Sequence, residues 1–180
     1  MKKLSLFLSL CLLWSGFAAL PVQAVDSKSR MLAAAILGDE EAGRAAEEPG
    51  GIAFDDLYLL SRAIFAVTGN RTYTEEWRLC VGEVILNRAA SPEFPDTLRE
   101  VIYADERYCG KVEGYFEALR PDSVCVDIAW RLLSGERVMD DRRVVYQDEH
   151  FYDGGVCKSL YDYRAGGIFF CYSTKPQLYR

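Results

Sequence analysis

One glutamate sits inside a run that is otherwise apolar or small. From Leu79 to Leu86 the chain reads LCVGEVIL, and Glu83 is the only charged residue in it. An ionised carboxylate in such a run is costly unless it is paired or faces a cleft. Desolvation favours the protonated form of a carboxyl group, which is the form a general acid for glycosidic cleavage must hold. Two readings follow. Glu83 is an acid facing a cleft, or it is a structural carboxylate at the edge of a buried face, paired with Arg78 or Arg88. Glu75 and Glu76, about two turns earlier, are the next carboxylates in line.

Other chemistries find less support. His150 is the only histidine and no CxxC spacing occurs, so neither a zinc site nor another metal site is expected. A cysteine nucleophile would have only His150 as a base, and no cysteine lies at a helix start or in a basic setting. No cofactor motif appears. Tyr108, Tyr115 and Phe116 lie together in a loop-like stretch. There they either stack on sugar rings or cover the core.

The elements that must position Glu83 are readable from periodicity and punctuation. Trp77, Val81, Val84 and Arg88 share one side of a helix that is apolar nearly all round, so it should be central and buried. Thr74 begins it, with Glu75 and Glu76 favourable in its first turn. Ser91-Pro92 forbids its continuation. Phe94 should plug the core from the turn, and Thr97 with Glu100 has capping-box spacing for a further helix, with Asp96 the alternative N-cap. Upstream, Leu57, Leu60, Ile64 and Val67 recur at helical spacing behind Asp55 and Asp56. Downstream, Pro121 to Leu133 reads as a helix with Val124, Ile128, Ala129 and Leu132 on its apolar side, stopped by Gly135. Arg143–Gln147 and Ile168–Ser173 read as strands flanking a Gly154-Gly155 turn. Helices first and strands last predict an α+β domain, its helical core closed by a small C-terminal antiparallel sheet.

The chain begins with Lys2-Lys3, an apolar run from Leu4 to Leu20, and a small-residue pattern at Val22-Gln23-Ala24. This is the pattern of a secretory signal peptide over 1–24, cleaved after Ala24. The alternative is an uncleaved anchor, which would be the only membrane attachment. Residues 25–53, rich in Ala, Glu and Gly, carry a weak amphipathic helix pattern over Met31–Ala46 and a breaker at Glu47–Gly51; they read as a partly disordered spacer, and 54–180 as the functional domain. Removing Lys2 and Lys3 takes 21 basic residues to 19 against 27 acidic ones, a net charge of −8. No basic cluster suggests nucleic acid. A monomer is expected. Five cysteines follow Ala24. Cys157 with Cys171 and Cys109 with Cys125 are candidate pairs, leaving Cys80 as the free thiol.

The central stretch carries a resemblance. Val84-Ile85-Leu86-Asn87-Arg88, Ser91-Pro92, Phe94-Pro95, Thr97 and Val101-Ile102-Tyr103 stand in the order found in the SleB-type cell-wall hydrolases, the spore-cortex-lytic enzymes and their vegetative relatives. Pro121–Gly135, Val144–Gln147 and Phe169–Tyr172 resemble later segments of that family, so the resemblance runs from about Leu57 to Ser173. It implies a lysozyme-like α+β domain that cleaves peptidoglycan glycan strands between N-acetylmuramic acid and N-acetylglucosamine, often as a lytic transglycosylase. The protein would then be secreted to the envelope of a Gram-positive bacterium, in a sporulation or vegetative role. The resemblance also implies one catalytic glutamate just before the central helix, and that position falls near Val67. The family's late histidine falls at Ile168. Three accounts follow: an acid moved elsewhere, with Glu83 first; a catalytically silent homologue that holds wall glycan; or a fold reused to bind a protein partner.

Overall fold

The computed structural model of the chain describes residues 26–69, 73–139, 141–164 and 166–179. The signal-peptide segment lies outside these residues. Eight α-helices precede three strands among them: α1 (Ser27–Leu37), α2 (Glu40–Ala45), α3 (Phe54–Thr68), α4 (Glu75–Ala89), α5 (Leu98–Tyr103), α6 (Glu106–Cys109), α7 (Tyr115–Ala118), α8 (Ser123–Leu133), β1 (Val144–Asp148), β2 (Val156–Asp162) and β3 (Gly166–Tyr172). The fold is α+β.

Helix α4 is central, as its composition requires. Every residue from Trp77 to Ile85 is buried, and so are Asn87 and Arg88. Thr74 caps it, its side chain accepting from the Trp77 N–H at 3.2 Å. Gly82 lies at the crossing of α4 with α3 and α8. A Cβ there would run into Leu132 of α8 and Ile64 of α3, so the missing side chain lets three helices approach closely. Arg88 ends the helix and ties three segments together. Its Nε donates to the Val145 carbonyl at 2.6 Å, and its Nη1 pairs with Asp105 at 2.7 Å. Asp105 in turn caps α6.

Thr97 caps α5, accepting from the Glu100 N–H at 3.2 Å, while its hydroxyl donates to the Glu100 carboxylate at 2.7 Å. Phe94 packs against the core from the turn, with its ring edge-on to Tyr146. Helix α3 starts after Ala53, which makes no side-chain cap, and Asp55 and Asp56 lie in its first turn. Helix α8 is capped by Asp122, whose side chain accepts from the Cys125 N–H at 2.7 Å. Its buried side is Cys125, Val126, Ile128, Ala129 and Leu132. Val124, assigned to that side from periodicity, is instead exposed.

The sheet is antiparallel in the order β1-β3-β2, with β1 seated against α4. Gln147 pairs with Phe170, and both are buried against the helices. Strand β2 carries no hydrophobic run in the sequence. It is an edge strand of alternating half-buried and exposed residues, formed because β3 offers it a ladder.

Two expectations are corrected here. Residues 27–51 are not a loose spacer. They form α1, α2 and a short 3₁₀ turn, with Met31, Ala34 and Ala35 buried in the common core against α3 and α8. The short, Ala-rich helix buries little area per residue, which is why its pattern looks weak in sequence. Residues 104–120 are not one loop either, since α6 and α7 interrupt them. Among the described residues, no helix is long and apolar enough to cross a membrane.

Burial works against the charge of Asp105, but hydrogen bonds from Arg107 and Arg88 outweigh it and hold the carboxyl down at about 2. Its contribution to stability is therefore present above the ordinary carboxylate range and is lost as pH falls toward that value. Replacing Arg88 with Met should cost about 1–3 kcal/mol at neutral pH, since it takes one of two guanidinium partners from Asp105, which keeps Arg107, and removes the buried donor to the Val145 carbonyl. Urea unfolding measures this, and the deficit should shrink between about pH 4 and pH 2 as Asp105 takes up its proton. A loss under about 1 kcal/mol would contradict the role given to Arg88.

Candidate active site

Glu83 stands midway along α4 and is fully buried. Neither arginine that the sequence offered as its partner is available. Arg78 pairs with Asp122 at 3.0 Å and donates to the Cys125 thiol at 2.9 Å. Arg88 is held by Asp105 and Val145. The expected ion pair is therefore replaced. Glu83 Oε2 accepts from the backbone N–H groups of Val138 and Met139, at 2.8 and 3.1 Å. Glu83 Oε1 is buried and has no hydrogen-bond partner among the described residues.

Glu83 lines a cavity of about 370 Å³ together with Asn87, Arg137, Asp141 and Arg142. Asn87 lies four residues on, so it shares a face of α4 with Glu83. Its Nδ2 donates to the carbonyls of Asp141 and Val144 at 3.2 and 3.0 Å. The two side chains hold the connection between α8 and β1 at its middle and at its β1 end. Arg137 is fixed by Nη1, which donates to the carbonyls of Leu132 and Glu136. The Arg143 guanidinium hydrogen-bonds the Asp141 carboxylate at 2.7 Å and holds it below the usual carboxylate range. The cavity is polar. A fixed carboxylate with one oxygen unpartnered can donate a proton to, or accept a hydrogen bond from, a polar ligand.

The other candidates are placed differently. Glu75 and Glu76 are exposed and lie in ion pairs, with Arg131 at 2.6 Å and Lys158 at 2.7 Å. Val67 lies in the last turn of α3, half-buried and packed on the core. Its neighbour Ala66 lines a second cavity of about 290 Å³ with Glu106, Arg107, Gly110, Lys111, Val112 and Tyr115. Of the three aromatics expected at a sugar site, only Tyr115 is exposed. Tyr108 and Phe116 are buried, so they cannot stack on a sugar. The Tyr108 hydroxyl accepts from Gln147 Nε2 at 3.0 Å, and the Phe116 ring meets Tyr103 edge-on. They belong to the core, Tyr108 from α6 and Phe116 from α7.

Sequence reasoning missed Arg137, Asp141 and Arg142, and took Asn87 only as a helix end and part of a motif. The Glu83–Asn87 spacing on a buried helix was the one available signal, since two polar side chains on one buried face need partners from another segment. The five cysteines are unpaired thiols, so neither candidate disulfide is formed. Burial pushes Cys80 and Cys125 up to about 12, which makes both poor nucleophiles. Among the described residues, no three of His, Cys, Asp or Glu converge as metal ligands.

The helix-to-sheet stretch that builds this cavity is also the stretch that known proteins share. Residues 73–163 match the family described as Cell Wall Hydrolase, half of the chain and all of α4 to β2. The protein belongs to the cell wall hydrolase family. Among curated proteins, the spore cortex-lytic enzyme of Bacillus subtilis (strain 168) is 33% identical over 70 residues. That match covers 39% of this chain and 22% of the relative, so the chain spans less than a quarter of that protein's length. No solved structure matches.

If Asn87 latches the cavity wall, Asn87→Ala removes the buried side-chain donor to the Val144 carbonyl and one of two donors to the Asp141 carbonyl, and should cost about 1–3 kcal/mol. Hydrogen exchange should localise the effect, with the amides of Val138, Met139 and Val144 exchanging faster than those of α3. Uniform exchange across the fold would show instead that Asn87 holds no particular segment.

Proposed function

We propose that this protein cleaves the glycan strands of peptidoglycan in the bacterial cell envelope, with Glu83 as proton donor. The observation that carries this reading is the Glu83 carboxyl, buried and held by two backbone N–H groups through one oxygen, with the other oxygen unpartnered beside an open polar cavity. Membership of the cell wall hydrolase family supports the wall as substrate, and the similarity to a spore cortex-lytic enzyme supports its peptidoglycan. Export by the segment 1–24, cleaved near Ala24 in a Gram-positive cell, belongs to the same reading.

The chemistry needs one acid. Glu83 gives its proton to the glycosidic oxygen leaving N-acetylmuramic acid C1, and the C1–O bond breaks. The C6 hydroxyl of the same muramic residue adds to C1, and its proton returns to the Glu83 carboxylate. The products are a 1,6-anhydro end and a free hydroxyl on the departing chain, with no water consumed. Oε2, tied to Val138 and Met139, fixes the carboxyl plane, and Oε1 makes the transfer.

A second reading is favoured by Val67, which stands near the position where the resemblance implies the glutamate. On that reading the protein holds wall glycan, or a partner, without cutting. One experiment separates the two. Residues 25–180, Glu83→Gln and Val67→Glu are each incubated with purified peptidoglycan, and the soluble products are weighed by mass spectrometry. Anhydro-muropeptides should appear with the parent and fall at least about 100-fold with folded Glu83→Gln. Release only from Val67→Glu would establish the silent reading. Unchanged release from Glu83→Gln would remove Glu83 from the chemistry.

A further inference from the structure

The cavity that Glu83 lines also carries two cationic side chains, in a protein that is acidic overall, with a net charge of −6. Arg137 and Arg142 both line the cavity and both are exposed. Neither lies in an ion pair among the described residues. The arginines that hold the fold together all do: Arg62 with Glu40, Arg78 with Asp122, Arg88 with Asp105 and Arg131 with Glu75. Among the described residues, the acidic groups that line the cavity are Glu83 and Asp141. The Asp141 carboxylate is already bound by Arg143, and it feels Arg142 only as a more distant charge. Two guanidinium groups are thus left to face the cavity.

They also stand on a rigid support. Glu83 grips the connection at Val138–Met139 and Asn87 grips it at Asp141 and Val144, so Arg137 and Arg142 flank a segment pinned at both ends by one helix. A guanidinium carried on such a backbone can match a carboxylate by paired, charge-assisted hydrogen bonds. A neutral sugar offers no such partner.

We propose that Arg137 and Arg142 make this cavity selective for carboxylate-bearing glycan: muramic acid units with a free lactyl carboxylate or a stem peptide ending in carboxylates, in preference to neutral amino-sugar chains. The cavity is the one given to Glu83, so the proposal rests on that reading for its place in catalysis but not for its binding chemistry. The carboxylate enters from the arginine side, and the glycosidic oxygen lies toward Glu83.

The test reads binding apart from cleavage. Glu83→Gln protein, which keeps the shape of the site, is titrated by calorimetry with five ligands. These are a muramic-acid-containing tetrasaccharide with free lactyl groups, the same oligosaccharide amidated, a disaccharide tetrapeptide, its amidated form, and neutral chitotetraose. The free acids should bind at least about tenfold more tightly than their amides and than chitotetraose, and the advantage should shrink with added salt. The two acid ligands tell whether the lactyl or the peptide carboxylate is read. Arg142→Gln should remove most of the preference and leave chitotetraose unaffected. Arg137→Gln should do the same, and circular dichroism shows whether its backbone contacts to Leu132 and Glu136 were needed for folding. Equal binding of acids and amides, or a preference that survives both arginine variants, overturns the proposal. Failure of Glu83 as the acid looks different: wall cleavage persists in Glu83→Gln, while the arginine-dependent preference stands.

Discussion

A helix buried on every side must match its polar side chains with partners from other segments. In this protein that constraint falls on the last two turns of α4. Glu83, Asn87 and Arg88 are all buried, and together they satisfy the N–H groups of Val138 and Met139 and the carbonyls of Asp141, Val144 and Val145. The connection between α8 and β1 has no regular structure to pair its own backbone over that stretch. The helix needs the loop as much as the loop needs the helix, and the sheet is seated on the helices through this exchange.

The same exchange makes the cavity. Because Glu83 is engaged by backbone donors and not by a guanidinium, one of its oxygens stays unpartnered. The arginines nearest in sequence are taken by Asp122 and Asp105, which hold α8 and α6 in place. Those pairs remove cations that would otherwise neutralise Glu83. Arg137 and Arg142, on the loop itself, line the same cavity. Charge in this site is therefore arranged by separation.

The framework follows from local signals. Thr74 and Thr97 cap their helices, Ser91-Pro92 ends α4, and the apolar run from Leu79 to Leu86 marks the buried helix. Such features act within a few residues, so they are readable without the fold. Features set by distant partners were not. Met31, Ala34 and Ala35 are buried only because α3 and α8 lie over them. Strand β2 exists only because β3 offers an edge. The Val138 and Met139 amides that hold Glu83 have no residue type that could announce them, since every residue but proline carries the same donor. The two arginines offered to Glu83 by proximity were claimed by acids 44 and 17 residues away. Tyr108 and Phe116 look like surface aromatics only while the short helices around them are read as loop.

The account stands or falls on whether wall glycan meets Glu83 from inside this cavity. The most direct measurement is a crystal structure of the Glu83→Gln protein soaked with a muropeptide tetrasaccharide. The account predicts a glycosidic oxygen within hydrogen-bonding distance of the residue-83 side chain, with a ligand carboxylate against Arg142. Glycan lying instead over Ala66 and Tyr115, with the Glu83 cavity unfilled, would contradict it and return the site to the end of α3.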